Sequence, residues 1–328
     1  MPTADRGRRP PAHAGKLRPW ERFTITLVFT VVAAAVVAVS VYGSRTRHPG
    51  PPQSAARPGS SPTVPAVQHS GGGARPSIPG GLGTIDPATE TASQVLATAL
   101  APVLQRYGGR VAVGVADSQN GTTAVYGAAR KFHTASIVKA DILAALLLQH
   151  QRAGTSLSDT ERASATAMMD DNDENAATTL WTAIGGAAGL GDANLKLHLS
   201  HTTPGAGGRW GHTSTTVGDQ LQLLADLTSA RSPLSQASRS YELGLMRHVS
   251  AGQGWGVTAA GSGGSPAVKN GWMTDSGAGW VVNSIGVITH AGHTVLVAVL
   301  AGDQASESAG IGADEGAAKA AVAAIVKA

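Results

Sequence analysis

Strand-like runs occur in this chain in two blocks, kept apart by a long stretch that reads as helix and turn. The first block holds residues 111–117 and 122–128, joined by Ser118-Gln119-Asn120-Gly121. Asn-Gly between alternating apolar runs is the strongest short hairpin signal. The second block holds residues 267–271, 279–289 and 294–302, and the span 159–250 between the blocks is helical and turn-rich. An amphipathic helix over 92–107, ended by Gly108-Gly109, precedes the first block, and an alanine-rich helix over 312–327 follows the second. Five strands divided in this way share one sheet only if the intervening helices form a lobe of their own. The expected fold is therefore α+β: a five-stranded, mostly antiparallel sheet flanked by the terminal helices, with a helical lobe at about 150–255. The whole unit spans 86–328. Ligands commonly bind in the crevice between such lobes.

At the edge of that lobe stands Phe132-His133-Thr134-Ala135-Ser136-Ile137-Val138-Lys139, running into an apolar helix over 140–148. Ser136 and Lys139 lie one helical turn apart, so they share a face and their side chains can meet. A serine hydroxyl is a weak nucleophile until a base takes its proton, and a desolvated lysine can be that base. The helix N-terminus adds backbone N–H groups and partial positive charge, which favour an oxyanion built on Ser136. Taken alone, the spacing is equally that of a capping serine before an amphipathic helix.

Charge is unevenly placed. The net charge is +4, but residues 1–22 carry six basic and two acidic side chains, while residues 86–328 carry 15 basic and 19 acidic ones. The basic excess thus lies outside the folded part, and nucleic acid is not an expected partner. Residues 23–42 are uncharged, and twenty residues at helical rise span roughly 30 Å, the thickness of a bilayer core. With basic residues before it, this run reads as a single-pass signal anchor, N-terminus cytoplasmic and the rest extracellular. A cleaved signal peptide is the alternative, although no clear small-x-small site ends the run. Residues 43–85 are rich in Pro, Gly and Ser and read as an extended, disordered tether. There is no cysteine, which excludes disulfide and thiolate chemistry.

Two further segments offer partners to Ser136. Asp170-Asp171-Asn172-Asp173-Glu174-Asn175-Ala176-Ala177 is a polar knot leading into a helix, and Val268-Lys269-Asn270-Gly271-Trp272 ends a predicted strand. A strand-borne lysine beside a small polar residue and a glycine offers a cation and a close backbone approach for a substrate carboxylate.

These three motifs, in this order, resemble those of the class A β-lactamase-like branch of the penicillin-recognising serine hydrolases, which run S-x-x-K, S-D-N, K-T-G. The resemblance covers residues 91–328. It implies that Ser136 is the acylated nucleophile, Lys139 its proton acceptor, and Lys269, Asn270 and Gly271 the substrate-binding third motif, with Asn in place of Thr or Ser. The oxyanion hole would join the N–H of Ser136 to one on the strand after Lys269, near Met273. Two departures accompany the resemblance. Asn172 and Glu174 stand where the family has its serine proton shuttle and its substrate-binding asparagine, unless a one-residue slide brings Asn175 into that last place. The family's deacylating glutamate follows an Arg-Trp pair, whereas here Arg209-Trp210 is followed by Gly211, and no acid occurs between Asp192 and Asp219. The Arg-Trp pair then reads as a packing anchor.

Other signals are weak. His198 and His201 lack a third ligand for a metal, and His290 and His293 read as solvated surface. Residues 205–211 resemble a phosphate loop only in composition. Trp272 and Trp280 suit the cleft and the core equally, and Asp275 sits in an expected turn. Together with the anchor read at 23–42, the resemblance implies a cofactor-free, monomeric, membrane-anchored serine hydrolase acting on a β-lactam or a related small-molecule amide or peptidoglycan-type peptide. Alternatives are a D-alanyl-D-alanine-type peptidase and a degraded cell-surface module that binds peptidoglycan-like ligands.

Overall fold

The computed structural model describes residues 87–275 and 277–326. The apolar run 23–42 and the tether lie outside them. Among the described residues, no helix is long and apolar enough to cross a membrane.

The chain opens with helix α1 (Pro87–Tyr107), then strands β1 (Arg110–Asp117), β2 (Thr123–Tyr126) and the short β3 (Phe132–His133). A 3-10 turn, Ala135–Ile137, runs directly into α2 (Val138–Ala153). Helices α3 (Asp159–Asp170), α4 (Glu174–Ala183) and α5 (Gly186–Lys196), a second 3-10 turn at Trp210–His212, β4 (Ser214–Thr215), α6 (Val217–Thr228) and α7 (Gln236–Met246) build the insertion. Strands β5 (Gly263–Asp275), β6 (Gly279–His290) and β7 (His293–Gln304) and helix α8 (Glu307–Ile325) complete the fold. The sheet order is β2-β1-β7-β6-β5, and every neighbouring pair is antiparallel. The first and last segments therefore meet at the centre of one sheet, as the divided strand blocks require.

Side chains alternate between the faces of a strand, and β7 shows what each face meets. Val295, Val297, Val299 and Ala301 pack with Leu96 and Leu100 of α1 and Ala317, Ala321 and Val322 of α8. Leu296, Ala298 and Leu300 pack instead with Val217, Leu221 and Leu224 of α6 and with the core of the insertion. Both faces of the sheet are thus covered, and β7 is apolar throughout because of it. Helix α2 is buried without a break from Val138 to Leu148, with the charged Lys139 and Asp141 included.

Several boundaries move from their expected places; β5, for one, begins at Gly263 rather than at 267. Helix α1 begins at Pro87 rather than at 92. Helix α8 begins at Glu307, where Ser306 accepts from the Ala309 amide, not at 312. A Cβ on Gly312 would strike the Tyr107 ring of α1 at 2.6 Å, so glycine here permits close helix packing. Strand β5 runs on to Asp275, which pairs with Gly279, so Asp275 ends a strand instead of sitting in a turn.

The insertion buries carboxyls without cations. Asp141 of α2 accepts from Gln220 Nε2 at 3.3 Å, while its second oxygen and both oxygens of Glu242 on α7 have no hydrogen-bond partner among the described residues. Burial pushes Asp141 from 3.8 up to about 7, and burial followed by Asp141 itself pushes Glu242 well above the usual range. A carboxyl raised on folding contributes full stability below its unfolded pKa, and that contribution is lost as pH rises through the folded value. Stability should therefore fall between about pH 4 and pH 7. Asp141→Asn keeps the volume and an oxygen for Gln220, so it should flatten that limb and raise Tm at pH 8 by roughly 5 °C. Thermal melts from pH 4 to 8 that coincide for the two proteins would contradict this.

Candidate active site

Ser136 sits in the 3-10 turn before α2 and is 6% exposed. Its approach is fixed from three sides. The Thr134 amide donates to Thr213 O at 2.8 Å, its hydroxyl donates to Gly211 O, and Asn283 Nδ2 of β6 donates to both His133 O and Thr134 O at 2.9 Å. Ala135 is held at φ +47°, a left-handed conformation costing a non-glycine residue on the order of 1–3 kcal/mol. That cost is sustained only because the flanking contacts over-determine the turn. Strand β5 crosses above it. A Cβ on Gly271 would lie 2.5 Å from the amide nitrogens of both Ser136 and Ile137, so only glycine allows this approach.

Lys139, one turn along, is fully buried. Its ammonium donates to Asn172 O at 2.7 Å, to Asn172 Oδ1 at 2.8 Å and to Glu174 Oε1 at 3.1 Å. These three contacts match its three donors. The Trp210 ring lies 5.2 Å from Nζ and closes the remaining side. Lys269, 1% exposed, donates to the same Asn172 Oδ1 at 2.9 Å and to Asn270 O at 2.8 Å. One carboxamide oxygen therefore bridges two buried lysines. Asn172 reaches them from the left-handed region, φ +59°, which asparagine tolerates better than most residues. Burial lowers the Lys139 pKa, and Glu174 opposes that drop. Burial and then Lys139 hold Lys269 well below the usual lysine value.

Ser136, Lys139, Asn172, Glu174, Lys269 and Gly271 thus come together. Asn175 does not: it is exposed on α4, and no hydrogen bond joins it to either lysine. Asp173 caps α4 by accepting from the Ala176 amide, and of this segment Asn172 and Glu174 are the residues that reach Lys139. Asn270 departs from its expected place on substrate. Its side chain is buried and donates to Gln253 O and Trp255 O, pinning a neighbouring loop. Met273 also gives way to a neighbour. The main-chain groups of an antiparallel strand point alternately to either edge. The Asn270 carbonyl meets Lys269 Nζ and so faces away from β6, and two residues on, in unbroken register, the Trp272 amide faces the same way. Trp272, not Met273, therefore presents an outward amide next to Gly271, the residue that lies against the Ser136 turn.

Two contributors escaped the sequence. Asn283 was visible only as a polar residue inside the apolar run of β6. Trp210 was read as packing, and it is buried with Nε1 donating to Thr178 Oγ1, but it also roofs Lys139. Arg209 is exposed. The outlying histidines hold other places. His293 Nδ1 lies 2.7 Å from buried Asp117 and His290 Nδ1 lies 2.7 Å from Ala260 O, so both are structural rather than solvated. His201 pairs with Asp219.

A family model described as "Beta-lactamase enzyme family" matches residues 94–164, which hold Ser136 and Lys139. An ancestral class A β-lactamase superposes with TM-score 0.60 at 23% identity, covering 70% of this chain and all of the other. The fold is that of the class A β-lactamases. A variant of PBP-A, solved as an acyl-enzyme complex with penicillin G, superposes with TM-score 0.60 at 18% identity, over 69% of this chain and 94% of that one. The putative lipoprotein LppW of Mycobacterium tuberculosis is 27% identical over 190 residues, 55% of this chain. The chain spans 60% of the length of these curated relatives.

Glu174 supports the Lys139 charge, so its replacement should lower the lysine's pKa further. NMR titration of the Lys139 side chain should place its midpoint below 10.5 in the parent and lower still in Glu174→Gln. An unchanged or raised midpoint in the variant would contradict the contact.

Proposed function

We propose that this protein is a cell-envelope serine hydrolase of the β-lactamase-like type, forming an acyl-enzyme on Ser136 with a β-lactam or a related amide. The observation that carries the reading is the placement of Ser136 under the open edge of β5, one turn from a buried lysine whose pKa is lowered. In the neutral form Lys139 has a lone pair to take the Ser136 proton. The oxygen then bonds to the carbonyl carbon, and the charge develops on the carbonyl oxygen, which the amides of Ser136 and Trp272 are placed to receive. The C–N bond breaks, and the leaving nitrogen takes its proton back from Lys139. Asn172 holds the two lysines but cannot relay a proton as a hydroxyl does.

The second half of the cycle is less well equipped. Gly211 follows Trp210 where a carboxylate would activate water, and the nearest atoms to a Cβ there belong to Ala135, 3.8–4.0 Å away. With no base at that place, water attack on the acyl-serine is expected to be slow. A stalled acyl-enzyme is the expected resting product, a species of the kind seen with penicillin G in the variant of PBP-A. Non-covalent capture of a peptidoglycan-like ligand in the same cleft is the second reading, favoured by the saturation of all three Lys139 donors. For location, the LppW likeness and the apolar run 23–42 both favour the envelope. These 328 residues hold no cysteine, so lipid attachment through a thiol is not open to them.

Intact-mass analysis after incubation with a penicillin tests the reading. The parent should carry a lasting adduct of the whole penicillin mass, and Ser136→Ala none. Absence of any adduct or hydrolysed penicillin would overturn acylation, and free hydrolysed product without a lasting adduct would overturn the stalled deacylation. Gly211→Glu, which places a carboxylate beside the nucleophile, should shorten the adduct's lifetime by about tenfold or more. An unchanged lifetime would show that a base at this place is not what deacylation lacks.

A further inference from the structure

We infer that Glu174 makes the cleft selective for acyl groups that carry a free amine, an inference that rests on the acylation reading above for its site. The Glu174 side chain is 68% exposed, and one of its oxygens, Oε1, accepts from Lys139. A carboxylate is an acceptor only, so its remaining lone pairs, at the mouth of the site that holds Ser136, can be met by a donor and not by a carbonyl or an anion.

The surroundings reinforce the sign. Asp171 is exposed and Asp173 half-buried on the same segment, and Asp173 is near enough to act on Lys139. The two lysines do not offset these charges toward solvent. Both are buried, and their ammonium protons are directed inward at Asn172, Asn270 O and Glu174. An arriving ligand therefore meets an acidic lip over a cationic floor that is already hydrogen-bonded. An ammonium on the acyl side chain gains from that lip, a neutral group neither gains nor loses, and a carboxylate is repelled. Because Glu174 is largely exposed, the pair is worth only what solvated ion pairs are worth, and salt weakens it.

Three penicillins share one benzyl frame and differ at its α-carbon: ampicillin bears an ammonium, benzylpenicillin a hydrogen and carbenicillin a carboxylate. Second-order acylation rates of the full-length protein at pH 7 should fall in that order, with about three- to tenfold between the first and the last. The spread should shrink at 1 M salt and collapse in Glu174→Gln, whatever that change does to the absolute rates. Equal rates for the three, or a spread that survives Glu174→Gln, would overturn the inference while leaving acylation standing. If no adduct forms with any of them, acylation itself falls, and equilibrium affinities for the unmodified protein decide the inference alone. The same order sustains it, and its absence or reversal overturns it.

Discussion

The Asn172 carboxamide oxygen, shared by two buried ammonium groups, is the interaction on which the site depends. Removing a lysine from water costs several kcal/mol even after relaxation, and a second like charge nearby adds to that. The cost is offset by hydrogen bonding: Lys139 meets Asn172 O, Asn172 Oδ1 and Glu174, and Lys269 meets the same Asn172 Oδ1 and the Asn270 carbonyl. The three segments joined in this way are α2, the turn before α4 and β5. They come from the two lobes of the insertion and sheet, so one asparagine fixes the crevice between them. Its left-handed backbone is the local expense of reaching both.

Much of the fold was legible because the sheet is assembled from strands whose alternation is plain in the chain. Val111, Val113 and Val115 of β1 and the unbroken apolar run of β7 announce a sheet covered on both faces. What misled was glycine. Gly271 read as the end of a strand, since glycine commonly ends one, yet it is there because another backbone lies 2.5 Å from where its Cβ would be. The terminal helix likewise read as starting at Gly312, whereas it begins at Glu307 and carries that glycine inside it against Tyr107. A residue chosen for what it leaves out carries no sign of what fills the space.

The site was legible where residue type dictates role. Ser136, Lys139 and Lys269 are found from spacing and chemistry, and the departures at Asn172, Glu174 and Gly211 stand out against the resemblance. Contacts set by strand register were not legible. Which of Trp272 and Met273 turns its amide outward depends on pairing with β6, and Asn283 acts across the sheet from residues 150 positions away. Trp210 shows the same limit: its burial was foreseen, but not that it would lie over the one lysine beside Ser136.

Ser136 has a backbone cradle on one side and a closed cationic network on the other, and Gly211 stands where the resemblance expects a deacylating carboxylate. The most direct measurement is a crystal structure of the protein soaked with penicillin. The expected result is an acyl group on Ser136 Oγ, with its carbonyl oxygen within hydrogen-bonding distance of the amides of Ser136 and Trp272. A penicillin held non-covalently, an adduct on another residue, or a carbonyl turned toward Asn172 and away from those amides would contradict it.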